Sequence, residues 1–215
     1  MRRATIAAAT IGLALLGGAA QAQAAPGVAV QFGCYLSGSP MTATATSFAA
    51  GGAVDFSFDG QLSGSGTADA AGNLTQPLTA PVLDFNTYQH QYTLTATDPN
   101  NPVATASTPV FVTQRTVTMS PKQGRPKKKI KFGVHALNPG QPVYLHYIFK
   151  KKQRYRKRLG VAKAPCGSLT KKTRFFPVNR PHTGVWTFQF DNKKRYSKHS
   201  LPRVLLKIQI FNIFK

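Results

Sequence analysis

Between residues 50 and 210 the chain alternates apolar and polar positions with a period of two. Val143, Leu145, Tyr147 and Phe149 alternate with Tyr144, His146, Ile148 and Lys150. Trp186, Phe188 and Phe190 alternate with Thr187 and Gln189, and Val204, Leu206, Ile208 and Ile210 alternate with Leu205, Lys207 and Gln209. Earlier, Val54, Phe56 and Phe58 follow the same rule, as do Tyr92, Leu94 and Ala96. Alternation of this kind, rich in aromatic and β-branched residues, predicts half-buried strands. No apolar pattern of helical spacing with caps persists after the N-terminal segment.

Turn residues divide each half into about seven short strands spaced roughly 8–12 residues apart. In the second half the predicted starts fall near Arg115, Lys129, Val143, Arg154, Leu169, Thr183 and Arg203. A weak internal repeat of about 90 residues supports two related units. Ala50-Gly51-Gly52-Ala53-Val54-Asp55-Phe56 aligns with Asn138-Pro139-Gly140-Gln141-Pro142-Val143-Tyr144-Leu145. Gly72-Asn73-Leu74-Thr75 aligns with Gly167-Ser168-Leu169-Thr170, and Tyr92 to Asp98 aligns with Trp186 to Asp191. The expected fold is all-β, two tandem immunoglobulin-like β-sandwiches over residues 26–115 and 116–215. One antiparallel barrel spanning both halves is the alternative.

The N-terminus carries a different signal. Arg2 and Arg3 precede an uncharged stretch from Ala4 to Ala20, and Ala20-Gln21-Ala22 and Ala22-Gln23-Ala24 both fit a small-residue cleavage site. Residues 1–25 are therefore expected to be a signal peptide. The competing reading is an uncleaved anchor, but the apolar stretch is short for a span and is diluted by Thr10, Gly12, Gly17 and Gly18. The expectation is a secreted or cell-surface protein with no transmembrane span after signal removal.

Charge sharpens the division. The six acidic residues are all Asp, and five of them precede position 115. Residues 26–115 hold one cation against five acids, or −4, whereas residues 116–215 hold 25 cations against Asp191 alone, or +24. Such asymmetry points to a polyanion-facing region. The densest tracts are Lys150, Lys151 and Lys152, then Arg154, Tyr155, Arg156, Lys157 and Arg158, and Lys193, Lys194 and Arg195. Lys127 to Lys129 with Lys131, and Lys171 and Lys172 with Arg174, add two more. Tyr155 and Tyr196 interleave with cations, as on surfaces that stack bases or sugars. Solubility and protection of edge strands also use charged hairpin ends. They need far less than +24, and that density costs stability by self-repulsion.

Three stretches in the second half resemble the carboxy-terminal module of secreted proteins from high-GC actinobacteria. They are Pro139 to Tyr147, Ala164-Pro165-Cys166-Gly167-Ser168-Leu169, and Thr183 to Asp191. In the first half, Phe48 to Val54 and Tyr92 to Asp98 are similar to bacterial Ig-like repeats. The resemblance implies the fold and export, and carries no activity or site residue with it.

Catalytic chemistry is poorly supplied. With no Glu in the chain, paired carboxylates would have to be Asp, and Asp55 and Asp59 read as residues flanking a turn. Cys166 as a nucleophile would need a base such as His182 or His199, yet Pro165-Cys166-Gly167 matches no nucleophile signature. His135 and His146 lack the further ligands a zinc site requires, so no metal or cofactor is expected. Cys34 and Cys166 permit one disulfide in an oxidising compartment, which would tie the halves together; two separate thiols are the alternative. No recognised nucleic-acid-binding motif is present, so sequence-specific nucleic acid is not an expected partner. The expectation is a non-enzymatic exported protein whose basic half binds an anionic cell-wall polymer or other extracellular polyanion. The rivals are a purely structural secreted protein, and an enzyme with an unrecognised site.

Overall fold

The computed structural model describes residues 24–211. The expected signal peptide lies almost wholly outside them. Among the described residues there are fifteen strands and no helix, and they form two β-sandwiches.

The first sandwich faces a three-stranded sheet against a five-stranded one. Strands β1 (Gly27–Val30), β3 (Pro40–Thr46) and β6 (Leu74–Thr79) pair in the order β1-β3-β6. Strands β2 (Cys34–Leu36), β4 (Ala53–Phe58), β5 (Gln61–Thr67), β7 (Gln89–Asp98) and β8 (Asn101–Thr113) pair as β2-β8-β7-β4-β5. All these pairings are antiparallel except β2 with β8, which is parallel.

The second sandwich repeats the plan. Strands β9 (Val117–Ser120), β10 (Lys129–Val134) and β13 (Leu169–Arg174) form one sheet in the order β13-β10-β9. Strands β11 (Pro142–Phe149), β12 (Lys152–Val161), β14 (Gly184–Asp191) and β15 (Arg203–Ile210) form the other, in the order β12-β11-β14-β15. The chain crosses between the sheets at β10–β11, β12–β13 and β13–β14, in the immunoglobulin manner. His135, just after β10, and His146, within β11, therefore belong to opposite sheets rather than to neighbouring strands.

The repeat legible in the sequence falls on equivalent strands, β4 with β11, β6 with β13, and β7 with β14. It extends to single hydrogen bonds. Phe48 N–H donates to Gly72 O at 3.0 Å, and Leu137 N–H donates to Gly167 O at 3.1 Å. Gly72 and Gly167 have φ of 76° and 65°. A Cβ on either would run into the carbonyl oxygen of Phe48 or Leu137, so the loop closes only over glycine. The following turns match too: Gly51 N–H bonds to Ala68 O, and Gly140 N–H bonds to Ala162 O.

The two cores differ in content. The first is built around Phe56, Leu94 and Val110, with small residues such as Ala43, Ala45 and Ala96 between them. The second is aromatic. Phe188 packs edge-on to Tyr147 at 4.8 Å and to Phe176 at 5.2 Å, and Trp186 stacks on Phe149 at 4.9 Å. Such rings bury large areas and contribute beyond area alone, which offsets self-repulsion in the highly charged half.

Two features join the sandwiches. Cys34, at the start of β2, is bonded to Cys166 in the β12–β13 connection, with Cα atoms 5.4 Å apart and a sequence separation of 132. Tyr88 of the first sandwich stacks on His135 of the second, centroids 5.4 Å apart. Burial holds His135 below the ordinary histidine range.

Candidate polyanion-binding surfaces

The densest groups of cations in the second sandwich lie in three places. The first is the tip of the β11–β12 hairpin, where Lys150 and Lys151 form a two-residue turn with φ of 50° and 63°. The equivalent β4–β5 turn of the first sandwich is Asp59-Gly60, the residue pair such a turn favours. Lysine pays a backbone cost there that Asn-Gly avoids. Lys150→Asn with Lys151→Gly should therefore raise the unfolding free energy by about 1–2 kcal/mol. Urea denaturation checks this, and an unchanged midpoint would remove the strain argument.

The second place is the outer face of the β11–β12–β14–β15 sheet. Residues directly opposite across strands share a face. Arg158, Tyr144, Asp191 and Arg203 make one row, and Arg156, His146, Gln189 and Leu205 the next. A register shift at Tyr147/Ile148 leaves Arg154 unpaired and exposed. The intervening residues point inward. Tyr155 packs against the core, centroid 6.4 Å from Trp186, and Lys157 is half-buried with its ammonium on the Thr173 hydroxyl. Tyr155 is half-buried, and Tyr196, also half-buried, lies against His146 at 5.9 Å.

This face is not open, although alternation would place His146 and Gln189 in solvent. Both are buried, at 0% and 2% exposure. The β14–β15 connection, residues 192–202, folds back over them and brings Lys193, Lys194 and Arg195 above the sheet. Its anchor is Asp191, the one acid of the basic half. Asp191 Oδ1 accepts from His146 Nε2 at 3.1 Å and from the Lys193 N–H at 3.0 Å. Oδ2 accepts from Gln189 Nε2 at 2.7 Å and the Ser200 hydroxyl at 2.5 Å. Gln189 also donates to Ser197 O, and Arg156 donates to Lys194 O at 3.0 Å.

The other ring nitrogen of His146 faces Gln153 Oε1 at 2.9 Å, so both nitrogens point at acceptors. Burial opposes charge on this ring, but the hydrogen bonds to Asp191 and Gln153 and the Asp191 charge outweigh it and raise its pKa. Burial likewise opposes ionisation of Asp191. Hydrogen bonds from His146, Ser200 and Gln189 prevail and hold its carboxyl below the usual range. Ser, His and Asp meet here, but not as a nucleophilic relay. The Ser200 hydroxyl donates to the carboxylate rather than to the ring, and all three side chains are shut from solvent. The arrangement holds a loop in place.

The third place joins two tracts far apart in sequence. On the outer face of the β13-β10-β9 sheet, Lys129 stands opposite Arg174 and Lys131 opposite Lys172. All four are exposed. Like charges directly opposite destabilise a sheet. Both tracts stand out in the sequence, but only strand register reveals that they face each other as one grid. Among the described residues, His146–Asp191 is the only cation–carboxylate pair within 4.0 Å, so no described Lys or Arg is ion-paired.

A groove of about 500 Å³ lies beside the disulfide, lined by residues of both sandwiches including Tyr35, Arg115, Asn138 and Leu201. Cys166, bonded to Cys34, holds no free thiol.

No protein-family model matches the chain, and no curated protein matches it. Solved structures with similarity include a tetra-tandem repeat from the extending region of a large adhesion protein, at 13% identity and TM-score 0.33. That match covers 87% of this chain, which spans about half (49%) of the other. The human OSCAR ligand-binding domain matches at 10% identity and TM-score 0.35, over 87% of this chain and 99% of that one. A Salmonella alpha-2-macroglobulin matches at 12% identity and TM-score 0.29, over 87% and 15%.

Proposed function

We propose that this is an exported, non-enzymatic protein in which residues 26–115 and 116–215 are separate domains and the second docks on an anionic polymer of the cell envelope. The observation that carries the reading is the absence of ion pairing for Lys and Arg among the described residues, together with like-charged residues set face to face across strands. Charges so arranged are destabilising alone and are relieved by a polyanion, which releases its own counterions on binding. The disulfide is in keeping with an oxidising compartment, and no described helix is long and apolar enough to cross a membrane. An envelope polymer is favoured over nucleic acid because the rings of Tyr155 and Tyr196 already pack against Trp186 and His146.

The test is retention of the protein lacking residues 1–25 on purified cell wall and on DNA across a salt series. The expected result is wall binding whose logarithm falls linearly with the logarithm of salt concentration. No retention at low salt would leave a purely structural secreted protein as the reading.

A further inference from the structure

The cations of the second sandwich lie on both of its outer faces. Lys129, Lys131, Lys172 and Arg174 point away from the core on one sheet. On the other, Arg158 is exposed on β12, and Arg156 of the same strand donates to Lys194 O in the loop that carries Lys193, Lys194 and Arg195. Between the sheets lies the aromatic core, with Ile130, Phe132, Tyr147 and Phe188 fully buried. Packed sheets stand about 10 Å apart, and outward side chains put the two sets of charged heads roughly 20 Å from each other. That separation exceeds the Debye length of about 8 Å at physiological ionic strength, so anion bound on one face leaves the other cationic.

We propose that the second sandwich is bivalent: each outer face takes a separate strand of a linear phosphate polymer, and the protein cross-links such strands. This rests on the polyanion reading above and adds the valency and the ligand class. Phosphate is favoured by spacing. Alternate residues on one face of a strand lie about 6.6–6.8 Å apart. This is the order of the distance between successive phosphates joined through three carbons, so Lys129 and Lys131, with Arg174 and Lys172 opposite, can follow consecutive phosphates. Mixed Lys and Arg heads suit phosphate oxygens. The opposite face carries Arg154, Arg156 and Arg158 on β12 and adds Lys193, Lys194 and Arg195 through the loop that Asp191, His146 and Gln189 hold down.

The experiment uses the protein lacking residues 1–25, with a long poly(glycerol phosphate), whose phosphates are joined through three carbons, as the polymer and tripolyphosphate as a ligand too short to bridge. Light scattering is followed against the protein-to-polymer ratio, and binding is measured separately by fluorescence anisotropy. Three variants each remove four charges. One is Lys129→Gln, Lys131→Gln, Lys172→Gln, Arg174→Gln. The second is Arg158→Gln, Lys193→Gln, Lys194→Gln, Arg195→Gln. The third, in connections outside the named strands, is Lys122→Gln, Arg125→Gln, Lys163→Gln, Arg180→Gln.

The unaltered protein should show scattering that peaks at an intermediate ratio and falls with excess of either component. Tripolyphosphate should suppress it without producing any. Either single-face variant should still bind, with a salt slope lower by roughly 3, while peak scattering falls about tenfold or more. The third variant should scatter nearly as the original does. Binding without scattering by the unaltered protein would overturn bivalency alone. So would equal losses in all three variants, which would make total charge the determinant. No binding of the poly(glycerol phosphate) at low salt would overturn both bivalency and the polyanion reading.

Discussion

Replacing both Cys34 and Cys166 with serine is expected to lower the unfolding free energy by about 5 kcal/mol, the loop-entropy value for a closure of this length. The bridge spans 132 residues of sequence and joins β2 to the β12–β13 connection. In the unfolded chain it therefore constrains most of both sandwiches at once. The native state has little to replace it. Apart from the bridge, the described inter-sandwich aromatic contact is Tyr88 on His135, and the Nδ1 of His135 is buried without a partner. Guanidinium denaturation of the oxidised protein and the double serine variant measures the difference. One further outcome follows from the two separate cores. The oxidised protein should unfold in a single transition, and the variant in two, with the aromatic core of the second sandwich melting last. A change under 1 kcal/mol would show that the unfolded chain keeps the two halves together without the bond.

Asp191→Ala should cost about 3–5 kcal/mol, the range for stripping one partner from a buried charge pair. It strands the His146 ring, the Gln189 amide, the Ser200 hydroxyl and the Lys193 N–H together. The effect depends on pH from both sides. His146 has a raised folded pKa, so its contribution is complete below the unfolded value near 6.5 and is lost as pH rises through the folded value. Asp191 has a lowered folded pKa, so its contribution is complete above the unfolded value near 3.8 and is lost as pH falls through the folded value. Stability attributable to the pair is thus greatest in mildly acidic solution and declines towards both neutral-alkaline and strongly acid pH. Urea midpoints across that range check this. His146→Gln should flatten the alkaline decline, and persistence of the decline in that variant would assign it to other groups. Loosening the loop should also weaken polymer retention by the Lys193 to Arg195 face, with no change at the Lys129 and Lys172 face.

Strand positions, the repeat and the all-β class were legible because they rest on local pattern. Alternation through Val143 to Phe149 and Trp186 to Phe190 needs no tertiary information, and Gly72 and Gly167 stand out as paired turn residues. The second-half strand starts fell within about two residues of the structure, which is the ordinary uncertainty of element ends. What escaped was whatever depends on the phase of one strand against another. The inward turn of Tyr155 and Lys157 is set by pairing with Tyr147 and Leu145 across two register shifts. The Lys129–Arg174 and Lys131–Lys172 pairs join tracts more than 40 residues apart. Burial of His146 and Gln189 follows from a loop crossing the sheet's outer face, which no alternation reveals. A clue was present in composition: Asp191 is the lone acid in a half with 25 cations. A single carboxylate in such surroundings is worth treating as a structural anchor from the start.

The Cys34–Cys166 bond also decides how the chain answers mechanical tension. A pull on residues outside the bridge travels through the sulfur atoms and bypasses everything between them. The bypassed segment, about 132 residues, would otherwise pay out roughly 450 Å of extended chain. Under load, β1 on one side and β13, β14 and β15 on the other are the only described strands that can be drawn out. A tethered molecule would lengthen only by these outer segments while oxidised, and reduction would add the bypassed length.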